Sequence, residues 1–379
     1  MMKKILAVAI ASAFAAPAFA ATANVDVYGQ INLSVDNVDN GAERRNTMST
    51  NNNSFFGFKG SEDLGGGMKA VWQIEANLSI DGSSQNVTST TVAQDRGVIF
   101  GSRNSYVGLS GGFGTVLGGV HDTPYKTATG PLDLFVGTLG DYNAVFGAAG
   151  GTGASNLFDL RTANTIAYVS PTFGGFDVKA AYVMGEGFQT SGAKSDAYSL
   201  SATYKNGPLF ATGAYEAHKN TNTCPACTIG TTGLANGSAS TLDQDAWKLG
   251  VGFTMGAFKV GAVYEDISGD ATGTSAIDHS TWMLNGAYAM GAITLKASYS
   301  TADDLGSNTN TGSKMWAVGA DYALSKRTTA QLTYARMNND SAGKWGLGQG
   351  AAYTGAANGT AGAGGDDVSG FSLGLRHSF

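Results

Sequence analysis

Between residues 24 and 36, apolar and polar side chains alternate almost without a break. Val25, Val27, Ile31, Leu33 and Val35 fall on one face, with Gly29 among them. Asp26, Gln30, Asn32, Ser34 and Asp36 fall on the other, with Tyr28. A period of two marks a strand, whose successive side chains point to opposite sides. The same pattern recurs along the chain, and helical periodicity is almost absent. It predicts roughly sixteen strands of about 9–12 residues, the length a tilted strand needs to cross a bilayer. They are placed at 24–35, 53–60, 68–80, 98–110, 113–121, 164–171, 176–186, 197–206, 208–218, 245–254, 258–267, 280–289, 291–301, 314–324, 328–338 and 370–379.

Alternation alone leaves two architectures open. In a soluble sandwich the apolar set faces a core; in a membrane barrel it faces lipid and the polar set lines water. The connections favour the barrel because they alternate in size. Short ones are 65–67, 172–175, 207–208, 256–257 and 325–327; long ones are 36–52, 81–97, 122–163, 219–244, 302–313 and 339–369. Tight turns at one rim and long polar loops at the other is the arrangement of outer-membrane barrels. An even strand count brings both chain ends to the tight-turn rim, where first and last strands pair and leave no edge. The expected fold is all-β: a 16-stranded antiparallel transmembrane β-barrel with short periplasmic turns and long external loops. Aromatic residues such as Tyr28, Phe58, Trp72, Tyr264, Trp282 and Trp316 lie in these strands or near their ends, as in the girdles that mark lipid–water boundaries.

Composition adds compartment. Residues 1–4 carry a short positive start, 5–16 are apolar, and Ala18-Phe19-Ala20 offers a small-x-small cleavage pattern. We expect a signal peptide over 1–20, with Ala21-Thr22-Ala23 a second possible cut, and one barrel domain over 21–379. The chain has 55 Gly, 6 Pro and 14 % charged residues, with net charge −6. Lys3 and Lys4 leave with the signal, so the mature chain has 21 basic and 29 acidic residues and a net of −8. That balance argues against a nucleic-acid surface. Cys224 and Cys227 form a Cys-Pro-Ala-Cys pair in a polar stretch. In an exported protein this favours a loop disulfide over a redox dithiol or half a zinc site, with free thiols still open. The four histidines, His121, His218, His279 and His377, sit beside no nucleophile at matching spacing, so no enzyme and no cofactor is expected.

Six motifs then carry a resemblance. They are VDVYGQI (25–31), GFKGSEDLGGGMKAVWQIE (57–75), YVGLSGGFGTVLGG (106–119), RTANTIAYVSPTFGGF (161–176), DYALSKRT (321–328) and GLRHSF (374–379). Together, and in this order, they resemble the general porins of Gram-negative bacteria, the 16-stranded trimeric type of β-proteobacteria. The resemblance implies passive diffusion of small hydrophilic solutes and ions across the outer membrane, and a homotrimer seated in outer-membrane lipid. It also implies a third loop, 122–163, that folds inward as the constriction, and Phe379 as a signal to the outer-membrane assembly machinery. On this basis Asp133 and Asp141 are candidates for the acidic loop side, either being equally readable as a solvated charge or a cap. Strand parity turns Lys59 to the lumen, as it does Lys69, Gln73, Glu75 and Arg103, and Arg103 and Arg161 match the pore arginines of the family. Two positions depart from it: Phe55 and Gly119 stand where relatives carry Arg. Weak or cation-leaning selectivity is the resulting expectation. A substrate-selective channel with a saturable solute site is the alternative.

Overall fold

The computed structural model describes residues 24–41, 44–49, 53–78, 80, 101–147, 157–185, 196–221, 242–269, 277–348 and 365–379. The signal-peptide and cysteine expectations lie outside them. Among the described residues, seventeen strands make one sheet. In chain order they are β1 (Asn24–Asp39), β2 (Arg44–Ser49), β3 (Phe55–Gly65), β4 (Met68–Asn77), β5 (Ser105–Gly111), β6 (Gly114–Asp122), β7 (Arg161–Val169), β8 (Phe176–Val183) and β9 (Asp196–Asn206). There follow β10 (Leu209–Thr221), β11 (Leu242–Met255), β12 (Phe258–Gly269), β13 (His279–Met290), β14 (Ile293–Ala302), β15 (Ser313–Ala323), β16 (Thr328–Asn339) and β17 (Val368–Ser378). Every neighbouring pair is antiparallel, and β1 pairs with β17 from Gln30↔Ser378 to Asp39↔Ser369, which closes the sheet.

The closed barrel has 16 strand positions. The extra strand is β2, which runs through the expected loop 36–52. The upper half of β1 pairs with β2 and the lower half with β3, so these two short strands share one position. The sequence Arg44-Arg45-Asn46-Thr47-Met48-Ser49 lacks an apolar face, and a strand that stands clear of lipid needs none.

Which face is apolar decides between the two architectures. Val27, Val107 and Leu373 are 60 %, 65 % and 63 % exposed on the outer wall. Glu216, Lys248 and Ser300 are buried inside. A soluble sandwich cannot tolerate that inversion, because so wide an apolar surface would cost too much in water. Outer aromatic rings gather at two levels. Tyr182–Tyr198, Trp247–Tyr264, Trp282–Tyr299 and Trp316–Tyr334–Phe371 mark the loop side; Phe176–Tyr204 and Phe258–Tyr288 mark the turn side. Along β13 the step from Trp282 to Tyr288 spans ~20 Å of strand, an apolar belt between two girdles.

Candidate pore constriction

After β6 the chain turns inward. Thr123 caps a one-turn-and-a-half helix, α1 (Pro124–Thr129), by accepting from the Lys126 amide at 3.3 Å, and Pro124 occupies a first-turn position where its missing N–H costs nothing. Two short 3-10 turns follow, at Gly130–Leu132 and Tyr142–Ala144. The loop crosses the lumen and lies against the wall built by β9 to β17. Its contacts there are specific. The Leu132 carbonyl accepts from the Asn285 amide at 2.6 Å, Pro131 from Lys259 at 2.9 Å, and Gly137 from Asn32 on β1 at 3.1 Å. Apolar side chains do the rest: Phe135, Leu139, Phe146 and Val145 form one buried cluster with Met283, Met315 and Met337 of the wall. The Leu132 side chain fills a hollow left by glycines. A Cβ on Gly250 would lie 2.6 Å from it and one on Gly252 2.7 Å, so only glycine lets this loop seat so close.

At its returning root the loop is held by buried charge. Gly147 donates to Glu265 at 2.7 Å, and Tyr125 donates to the other Glu265 oxygen at 2.8 Å. Asp159 accepts from Lys248, from Asn143 at 2.8 Å and from Tyr142 at 3.2 Å. Nothing in the strand periodicity announced this network, since Lys248 and Glu265 read simply as lumenal polar positions.

The loop leaves open the side of the lumen next to β3–β7. There a cavity of about 320 Å³ is lined on the wall by Asn53, Asn77, Arg103, Asp122 and Arg161, and on the loop by Lys126, Asp133, Asp141 and Asn143. Arg103 is ion-paired to Glu75 at 3.5 Å, donates to Asn77 at 3.2 Å, and lays its guanidinium over the Phe55 ring at 4.7 Å. Burial, with Arg161 near, lowers its pKa to about 10 against the pull of Glu75 and Asp122, and it stays cationic at neutral pH. Asp122 is shared by Arg161 at 3.2 Å and Lys126 at 3.1 Å, and Asn104 donates to it at 2.8 Å. Lys126, Asp122 and Glu75 complete the charge pattern around the two arginines. The i,i+4 spacing of Asp122 and Lys126 was the available signal for the first two, and lumenal parity for Glu75.

Asp133 and Asp141 both border the cavity, each with its carboxylate tied to backbone. Asp133 accepts from Phe135 at 2.7 Å and Tyr142 at 3.3 Å; Asp141 accepts from Gly137 at 2.7 Å and Asn143 at 3.0 Å. Burial pushes the Asp141 carboxyl up to about 6 against these hydrogen bonds, and that of Asp133 above its ordinary range. Lys59 is brought to a different place. Asp26, Lys59, Gln73 and Tyr106 stand in register across β1, β3, β4 and β5, around a separate cavity of about 600 Å³. That row is nearer the tight turns than the row of Tyr28, Gly57 and Glu75. The ammonium of Lys59 lies 4.8 Å from the Tyr28 ring centre.

The departures at Phe55 and Gly119 now have a geometry. Phe55 supports Arg103 in place of a second cation. Gly119 sits at a register shift between β6 and β7 with φ of 147°, and a Cβ there would approach the Ser105 carbonyl to 2.3 Å. No longer side chain fits this backbone. Phe379 exchanges two backbone hydrogen bonds with Gly29, at 3.0 and 3.2 Å, and rests its ring over that glycine. Two external acids act as loop staples: Asp304 accepts from the amides of Asn310, Thr311 and Gly312, and Asp367 pairs with Arg336 at 2.8 Å.

Comparison with known proteins agrees with this fold. A family profile described as Gram-negative porin matches residues 7–342. The major outer membrane protein P.IB of Neisseria gonorrhoeae is 31 % identical over 55 % of this chain and 56 % of its own length, so the match spans little more than half of that relative. Outer membrane porin protein 32 of Delftia acidovorans is 28 % identical over 100 % of both chains. The anion-selective porin from Comamonas acidovorans superposes with a TM-score of 0.76 at 26 % identity, over 94 % of this chain and 100 % of that one.

Proposed function

The chain belongs to the Gram-negative porin family, and from that premise we propose that it is a passive diffusion channel of the outer membrane for small hydrophilic solutes and ions. The third loop is its constriction. The observation that carries this is the pairing of a hollow, polar-lined barrel with an inward loop that leaves one charged gap, edged by Arg103, Arg161 and Lys126 on one side of the charge balance and by Glu75, Asp122, Asp133 and Asp141 on the other. Ions cross such a gap according to the charges at its rim rather than the net charge of the chain.

The Comamonas porin is described as anion-selective. Here the two wall arginines, Arg103 and Arg161, each have an acidic partner, and the positions of two family arginines hold Phe55 and Gly119. We therefore assign weak selectivity to this channel. Homotrimers follow from the family resemblance; a folded species near three times the mass of the mature chain on unheated gels is the expected outcome. The decisive experiment is reconstitution in planar bilayers. Discrete ohmic conductance steps with a reversal potential close to zero under a KCl gradient are expected. Absence of steps would remove the channel assignment, and a strongly anionic reversal potential would remove the selectivity.

A further inference from the structure

The long connection between β16 and β17 begins in a Gly-rich segment, 340–348, yet Trp345 is 1 % exposed and Leu347 fully buried. An indole is a costly thing to place in a solvated external loop, and here it points into the barrel. Its ring N–H donates to the Thr311 carbonyl at 2.8 Å, and its ring meets His279 edge-on at 5.9 Å. Asn339, the last residue of β16, grips the Trp345 backbone twice: its side-chain oxygen accepts from the amide at 2.9 Å, and its side-chain nitrogen donates to the carbonyl at 3.0 Å. Three residues beyond Trp345, the amide of Gly348 donates to the carbonyl of Leu139 in the third loop at 3.0 Å. Trp345 and Leu347 share one buried cluster with Phe135, Leu139 and Phe146, the residues that seat that loop.

We infer that Trp345 and Leu347 are positioning residues for the constriction: they form a strut, braced on the barrel wall through Thr311 and Asn339, that presses the far side of the third loop against the wall. The inference rests on the channel assignment. Its physical content is division of labour. Hydrogen bonds to Glu265 and from Lys248 hold the loop near its roots, where the groups are fully buried. Farther along the loop, hydrogen bonds from Asn285, Lys259 and Asn32 reach it at scattered carbonyls, so its seat there depends on apolar contact. Apolar contact is non-directional and lets an unbraced loop slide. A second, externally rooted segment removes that freedom, and the width of the gap beside Arg103 and Arg161 then depends on a residue that does not touch the solute path.

Bilayer recordings of the whole refolded protein test this. The wild type is measured first, and its failure to conduct would count against the channel assignment rather than the strut. Trp345→Ala is expected to keep the folded, heat-modifiable barrel while open-channel current noise rises severalfold and closure begins at lower voltage. Trp345→Phe, which keeps the apolar wedge and loses only the N–H to Thr311, is expected to restore most of the quiet behaviour. Trp316→Ala, on the outer aromatic girdle, serves as a destabilised control with unchanged noise. Should Trp345→Ala not fold, Leu347→Ala, which leaves the Thr311 and Asn339 hydrogen bonds intact, is read by the same criteria. Noise and closure voltage identical to wild type in a folded Trp345→Ala or Leu347→Ala barrel would overturn the strut.

Discussion

At the scale of single residues, Arg103 and Arg161 matter less as cations than as halves of ion pairs. Glu75 is engaged by Arg103 and by the Tyr28 hydroxyl at 2.8 Å, whereas Asp122 is engaged by Arg161 and Lys126 together. Removing the Asp122 carboxylate outright would leave two half-buried cations without their shared partner. Asp122→Asn keeps an acceptor and deletes only the charge. It is expected to shift the KCl reversal potential toward anion preference, and further than Glu75→Gln, because it uncovers two cations instead of one. An unchanged potential in both variants would show that neither acid bears on permeating ions. The loop acids make a second, pH-dependent case. With Asp141 raised to about 6 and Asp133 also raised, protonation begins just below neutrality. The gap then loses negative charge, so anion preference should grow as pH falls through 6. The sign for stability is the reverse of an acid-labile pair. These folded carboxyls bind protons more tightly than in the unfolded chain, where an aspartate titrates near ~3.9, so acidification to pH 5 relieves burial cost and leaves the loop seated. Asp141→Asn should flatten the titration, and an equal pH response in that variant would contradict the assignment.

At the scale of elements, the strands were legible because lipid and water face each other across every one of them, and a period of two follows. β10 to β17 lie within a few residues of where alternation put them. The strand β2 was not legible, since it stands where no lipid demands an apolar face. The third loop was legible only as length. Its seating depends on Leu132 meeting Gly250 and Gly252, a contact more than a hundred residues apart in sequence that no local pattern encodes. The same holds for Trp345, hidden in a stretch whose composition reads as solvent-exposed. Asp133 and Asp141 were visible as acids, but whether an acid faces solute or staples a turn depends on backbone amides that only the folded loop presents. The Leu132 contact makes a coupled prediction. Leu132→Ala should cost about 2–5 kcal/mol of local packing and give unsteady conductance. Gly250→Ala should do the same by driving a Cβ into Leu132. Combined, the two should be less harmful than their sum, because the first removes the atoms that the second strikes. Thermal midpoints of the folded gel band, read over this cycle, test it; strict additivity would mean that the two positions do not meet.

At the scale of the whole barrel, stability depends on the seam between β1 and β17, where the first strand meets the last and closes the sheet. Gly29 leaves the outer face of β1 bare at the turn-side rim, and the Phe379 ring covers it, the relation by which an aromatic side chain compensates a strand glycine. Phe379 thus serves the closed barrel, and the assembly role that the family resemblance implies is proposed as a second, separable duty. Refolding from urea into detergent involves no machinery and reports only the seam. Phe379→Ala should lower the heat-modification midpoint in that experiment, and Phe379→Tyr, which still covers Gly29, should not. Expression in a Gram-negative host adds the assembly step. If the terminal Phe is also read during export, the yield of folded Phe379→Ala in the outer membrane should fall by much more than its refolding in vitro predicts. A loss in cells no greater than the loss in detergent would assign the residue to the seam alone. An unchanged midpoint in detergent would take the seam away and leave the signal.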